Sequence, residues 1–100
     1  MTNKPVHTAI VGLGWWGRHI VDSIHGLSEK ITIVRGIDPR AKILEDIPAE
    51  KRFLVSSSLE DALEDKNVHA IILATPHSLH EEQIVRCAAA GKHVFVEKPL

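Results

Sequence analysis

The sequence predicts an α/β fold: one parallel sheet of strand order 3-2-1-4-5, with helices on both faces. Three observations carry that expectation. Short apolar runs alternate with stretches of helical spacing, the pattern of parallel strands joined by right-handed helical crossovers. The first, second and fourth runs are apolar almost throughout, as strands covered on both faces are. A glycine-rich turn, Gly12-Leu13-Gly14-Trp15-Trp16-Gly17, stands where the first run gives way to the first helical pattern.

Taken in order, Thr8 to Leu13 is a β-rich run ending in glycines, a buried strand. From Trp15 to Leu27, Ile20, Ile24 and Leu27 fall at three- and four-residue spacing, the apolar stripe of a helix. Ile31 to Ile37 is the second strand, closed by Asp38-Pro39. Ala41 to Glu50 is a weak helix containing Pro48, and Arg52 to Val55 a short third strand. Ser58, with Asp61 three residues on, caps a short helix to about Asp65. Val68 to Leu73 is the fourth strand. Ser78 and Glu81 have the spacing of a capping box for a helix that runs to Ala90 and stops at Gly91. His93 to Val96 is the fifth strand. This is most of a Rossmann-type sheet.

Composition narrows the function classes. With 12 Lys and Arg against 13 Asp and Glu the formal net charge is −1, so no basic stripe for nucleic acid is expected. The longest apolar run, Ala70 to Ala74, is too short to cross a bilayer. Met1 to His7 is polar with no long apolar stretch behind it, unlike a signal peptide. Cys87 is the one cysteine and cannot form an internal disulfide, which points to a cytoplasmic setting.

The glycine turn carries the first chemistry. Glycines spaced G-x-G-x-x-G arise by chance, but here a strand precedes, a helix follows and an acid closes the second strand. That acid, Asp38, lies 21 residues beyond Gly17, close to the spacing of about 20 found in dinucleotide sites. Gly12 permits the tight turn, Gly14 lets a pyrophosphate approach the backbone, and Gly17 lets helix and strand pack closely. The N–H groups at the helix start and its dipole favour phosphate there. Asp38 has two readings that can coexist: a ligand to the adenosine ribose, or an N-cap before Pro39. A carboxylate at that point favours NAD. Arg40, two residues later, could instead pair with a 2′-phosphate, which keeps NADP open. Trp15 and Trp16 either pack on a neighbouring domain or subunit, or shield the cofactor from water.

A second segment, Thr75-Pro76-His77-Ser78-Leu79-His80, follows strand four at the sheet edge where such folds bind ligands. Glu97-Lys98-Pro99 follows strand five on the same edge. In GLGWWG, the Asp38 acid, SSLEDAL, ATPHSLH and AAAGKHVFVEKPL, in that order, the chain resembles the N-terminal nucleotide-binding domain of the Gfo/Idh/MocA oxidoreductases over almost its whole length. The resemblance implies that Gly12 to Gly17, Leu13 included, hold the pyrophosphate and Asp38 the ribose. It implies that Thr75, Pro76 and His77 line the dinucleotide groove, although the family more often has Asn where His77 stands. His80 matches a histidine that recurs at that helix start, and His69 stands where relatives commonly carry Asp. Lys98 matches the active-site lysine, beside the nicotinamide and the substrate hydroxyl, with Glu97 positioning its loop. An ammonium there stabilises the alkoxide that develops as hydride leaves an alcohol carbon, and a lysine in a partly dry cleft can also move a proton.

The same resemblance implies a further helix, a strand and a second domain that carries the substrate site and an Asp-x-x-x-His pair. None of these lies within residues 1–100, so the expectation is an incomplete dinucleotide-binding domain. It would belong to an enzyme acting on a small sugar, polyol or related hydroxyl compound, the 100 residues alone being inactive. A dinucleotide-binding module without catalysis is the alternative. A methyltransferase using S-adenosylmethionine is a third, disfavoured by Lys98, which that ligand does not need. Strand five, left at the sheet edge, predicts self-association. His77, His80 and His93 show no metal-ligand spacing pattern, and no metal is expected.

Overall fold

The computed structural model describes residues 5–24, 30–45 and 53–96. Its five strands are β1 (Val6–Val11), β2 (Ile31–Ile37), β3 (Leu54–Ser56), β4 (Ala70–Leu73) and β5 (His93–Val96). Between them run α1 (Trp15–Ile24), α2 (Ala41–Glu45), α3 (Leu59–Leu63) and α4 (His80–Ala89). All pairings are parallel, in the order β3-β2-β1-β4-β5. That is the order the sequence predicts. Among the described residues, no helix is long and apolar enough to cross a membrane.

Side-chain alternation along the strands divides the core in two. Ala9, Val11, Ile71 and Leu73 point to one side, where Leu59 and Ala62 of α3 and Cys87 of α4 cover them. Ile10 and Ile72 point to the other, against Ile20 and Val21 of α1. Helices therefore lie on both faces, and the central strands are apolar on each. β2 feeds both cores by an irregularity. The ladder between β1 and β2 shifts register between Thr8 and Ala9, skipping Val34. Ile33 consequently packs with the α1 side and Ile37 with the α3–α4 side, although four residues apart in one strand they would otherwise share a face.

Several boundaries differ from the sequence reading. β1 begins two residues earlier, because Val6 and His7 pair with Ile31 and Thr32. α1 is described to Ile24, and its expected end at Leu27 lies outside the described residues. So do the second half of the weak helix, after Glu45, and the start of the third strand at Arg52. Ser58 caps α3 as expected, accepting the Glu60 N–H at 3.3 Å. The capping box at Ser78 and Glu81 does not form. Residues His77–Leu79 make a 3-10 turn behind Pro76, and α4 starts only at His80, with Leu79 as an N-cap that makes no side-chain bond. Proline fixes the entry into the turn and leaves Ser78 inside it, so its hydroxyl is not at the cap.

Candidate functional site

Four chain segments reach the carboxyl edge of the sheet together. Backbone bonds align them: Gly12 N–H donates to Ile37 O at 2.7 Å, Ala74 N–H to Val11 O at 2.8 Å, and Asp38 N–H to Ser56 O at 3.1 Å. Between them opens a groove of about 1300 Å³. Its floor is the glycine turn and the first turn of α1, through Gly12, Gly14, Trp15, Trp16 and Gly17. One side is Ile37, Asp38, Pro39 and Arg40; the other is Thr75, Pro76 and His77.

The glycines are required by geometry. Gly12 has φ 98°, and a Cβ there would stand 2.7 Å from the Ala74 carbonyl oxygen. At Gly17 a Cβ would overlap the Gly12 carbonyl oxygen, so α1 can pack this closely on the turn only without a side chain. The turn is held from below by Arg18, whose Nε donates to Leu13 O at 3.0 Å. Leu13 itself does not face the groove. Its side chain is fully buried and its N–H is given to Asp38, so its part is to anchor that carboxylate.

Asp38 is the most constrained polar group of the site, with 1% of its surface exposed. Oδ2 accepts the Leu13 N–H at 2.8 Å and Arg40 Nη2 at 2.8 Å. Oδ1 accepts the Arg40 N–H at 2.9 Å and Arg40 Nε at 2.8 Å. Burial alone would raise its pKa. The hydrogen bonds from the Arg40 side chain and the two backbone N–H groups, with the Arg40 charge, outweigh burial and bring it to about 2. Asp38 is thus a permanent anion over the physiological range. Its bond to the Arg40 N–H is the turn-closing contact expected of Asp before Pro.

On the opposite wall Thr75 Oγ1 donates to Gln83 Oε1 at 2.6 Å, and the buried His80 ring meets Thr75 O through Nε2 at 2.8 Å. His80 therefore lies behind the wall and braces it, while His77, edge-on to it at 5.5 Å, lines the groove. Trp15 and Trp16 stack on each other and on His19 at centroid distances of 5.4–5.9 Å, and Trp15 stays 78% exposed. Glu97 and Lys98 lie outside the described residues. Sequence reasoning missed Gln83, Ser57 and Leu79 as lining residues; Gln83, three residues after His80 and so near it on α4, is the one a spacing argument reaches. Among the described residues, no group of three or more His, Cys, Asp or Glu is placed to hold a metal ion.

These residues fit a dinucleotide. The turn admits no side chain at Gly12 or Gly17. A Cβ at Gly14 would meet only the tip of Arg40, at 3.3 Å, leaving the backbone open to the groove. The first N–H groups of α1, which have no intrahelical partner, border the same space. Gly12 to Gly17 would hold the pyrophosphate, and Asp38 lies at the end of β2 where a ribose would reach it.

Comparison with known proteins agrees. Residues 6–100 match the Gfo/Idh/MocA family model, described as an oxidoreductase family with an NAD-binding Rossmann fold. The chain is 34% identical to inositol 2-dehydrogenase of Rhodococcus erythropolis over 101 residues, covering 98% of this chain and 29% of the relative. It is 35% identical to 2,7-anhydro-N-acetylneuraminate hydratase of Escherichia coli over 97 residues, covering 95% and 25%. The solved scyllo-inositol dehydrogenase of Lactobacillus casei, with bound NAD(H) and scyllo-inositol, superposes with a TM-score of 0.86 at 27% identity, covering 96% of this chain and 28% of that one. The chain thus spans under a third of the length of these relatives. A five-stranded sheet in this order, a glycine turn under an open groove and a family match over nearly every residue place the chain in the Gfo/Idh/MocA oxidoreductases, as an NAD-binding Rossmann domain.

Proposed function

We propose that this chain is the cofactor-holding part of an oxidoreductase that moves hydride between a nicotinamide dinucleotide and the hydroxyl-bearing carbon of a sugar, polyol or related compound. The observation that supports it most is the shared groove, in which the glycine turn, the buried Asp38 anion and the Thr75-Pro76-His77 wall face one another. The cofactor supplies the hydride acceptor or donor. The backbone of Gly12 to Gly17 binds its pyrophosphate, and Asp38 accepts hydrogen bonds from ribose hydroxyls. Thr75 to His77 exclude water from one side. Lys98, two residues after β5 in sequence, is the residue we assign to the substrate hydroxyl. Its ammonium would stabilise the oxygen as the proton leaves. The 100 residues span under a third of the relatives' length, and the step we assign to them is holding the cofactor. The free, buried Cys87 fits a reducing compartment, the cytoplasm. The exposed edge at β5, where Phe95 is 57% exposed, supports self-association.

The test uses the two tryptophans of the chain, both at the groove. Titration with NADH should quench their emission saturably, with energy transfer to the nicotinamide. A folded sample with no saturable response to NADH or NADPH would refute the reading.

A further inference from the structure

The Asp38 carboxylate that a ribose needs is already fully engaged by the protein. A carboxylate offers about four lone-pair sites, and four donors occupy them: Leu13 N–H, Arg40 N–H, Arg40 Nε and Arg40 Nη2. The two backbone donors are fixed by the β1 and β2 turns. The two side-chain donors are not, because the Arg40 side chain is 60% exposed while its partner is 1% exposed. The guanidinium also overhangs the glycine turn, since it is the sole neighbour within 4 Å of a Cβ built on Gly14. It therefore lies across the path from the turn to the acid, the path along which a dinucleotide runs from pyrophosphate to adenosine ribose.

We infer that Arg40 is a latch on the ribose subsite: its guanidinium competes with the ribose hydroxyls for Asp38 and must swing off before a 2′-hydroxyl dinucleotide can seat. The inference rests on the function proposed above. Pro39 and the Arg40 N–H bond to Oδ1 keep the Arg40 backbone at the groove rim, so the displaced fork stays within reach of the ribose edge. A 2′-phosphate there would take the fork bidentately, which a lysine could not do. The latch thus weakens NADH and strengthens NADPH. It makes Arg40 the residue that sets the ratio of the two in a site whose acid by itself favours NADH.

The experiment is a titration of wild-type chain, Arg40→Ala and Arg40→Lys with NADH and with NADPH, by tryptophan quenching, with circular dichroism confirming the fold. For an ion pair with one exposed member, Arg40→Ala should tighten NADH by about two- to fivefold, and should weaken NADPH by about tenfold or more through loss of a bidentate phosphate contact. Arg40→Lys should fall between for both. In the wild type, the Arg40 Nε–H proton resonance should be protected from exchange and lose that protection when NADH is added. NADH affinity unchanged or reduced in Arg40→Ala would overturn the latch while leaving the cofactor site standing. Silence of wild type and Arg40→Ala towards both dinucleotides would overturn the site and the latch together.

Discussion

The carboxylate of Asp38 accepts the N–H of Leu13 at 2.8 Å, so the end of β2 is tied directly to the turn that follows β1. The bond joins residues 25 apart in sequence and is buried. One residue thus shapes the turn and presents a charge to the same groove. The helix that follows begins only at Ala41, so Asp38 is not its N-cap as the sequence suggests; its other oxygen closes the intervening turn onto the Arg40 N–H.

Asp38→Asn removes the charge and turns an NH2 group towards at least one of its four donors. Stability should fall by about 1–3 kcal/mol, the cost of a buried polar group left facing a donor, read as a lower urea midpoint with an unchanged slope. NADH affinity should fall more than NADPH affinity, because only NADH offers the carboxylate a 2′-hydroxyl at the adenosine ribose.

The pH dependence has a definite sign. The folded carboxyl of Asp38 is held at about 2, below the value of about 3.9 in an unfolded chain. Its contribution is complete above pH of about 5 and is lost as pH falls towards 2, amounting to about 2.5 kcal/mol. Asp65 is lowered as well, chiefly by the Asn67 N–H, and adds in the same direction. Unfolding followed from pH 5 to 2 should show a shallower fall in Asp38→Asn than in the wild type.

Gly17→Ala forces a methyl group onto the Gly12 carbonyl, a backbone atom that cannot step aside. A loss of more than about 2 kcal/mol is expected from overpacking at this position. Thermal unfolding measures it, and in any sample that still folds, NADH binding should be weakened more than in Gly91→Ala. At Gly91 a Cβ meets nothing within 4 Å, although its positive φ strains that variant mildly.

Lys92 holds the far end of the sheet. Its ammonium donates to Asp65 O at 2.7 Å and Val68 O at 2.6 Å, fastening the loop before β4 to the start of β5. Lys92→Met keeps the aliphatic stem and strands two carbonyls. The expected cost is about 1–3 kcal/mol with NADH affinity unchanged in the folded fraction, which a paired denaturation and titration would establish.

The parts of this molecule that depend on local pattern could be read from the chain. The apolar runs of β1, β2 and β4 and the glycines at positions 12, 14 and 17 have physical requirements that few other sequences meet. Contacts across long separations could not be read in that way. Nothing local says that Lys92 reaches Asp65 O, 27 residues away; Arg40 is only two residues from Asp38, but the spacing alone leaves its side chain free either to fold back on that acid or to extend towards a ligand. The Ser78–Glu81 spacing misled because Pro76 starts a 3-10 turn that uses up the cap position. The sequence places the two tryptophans at the turn, but neither their exposure nor the stack that His19 completes can be read from it.

The register shift opposite Val34 has a consequence for how the domain comes apart. A strand with uninterrupted alternation would give Ile33 and Ile37 to one layer, and the two layers could loosen one at a time. With the shift, β2 is a shared member of both, so releasing it empties a position in each. The two halves of the interior are thereby coupled, and melting should be a single cooperative transition seen equally by probes on α1 and on α4.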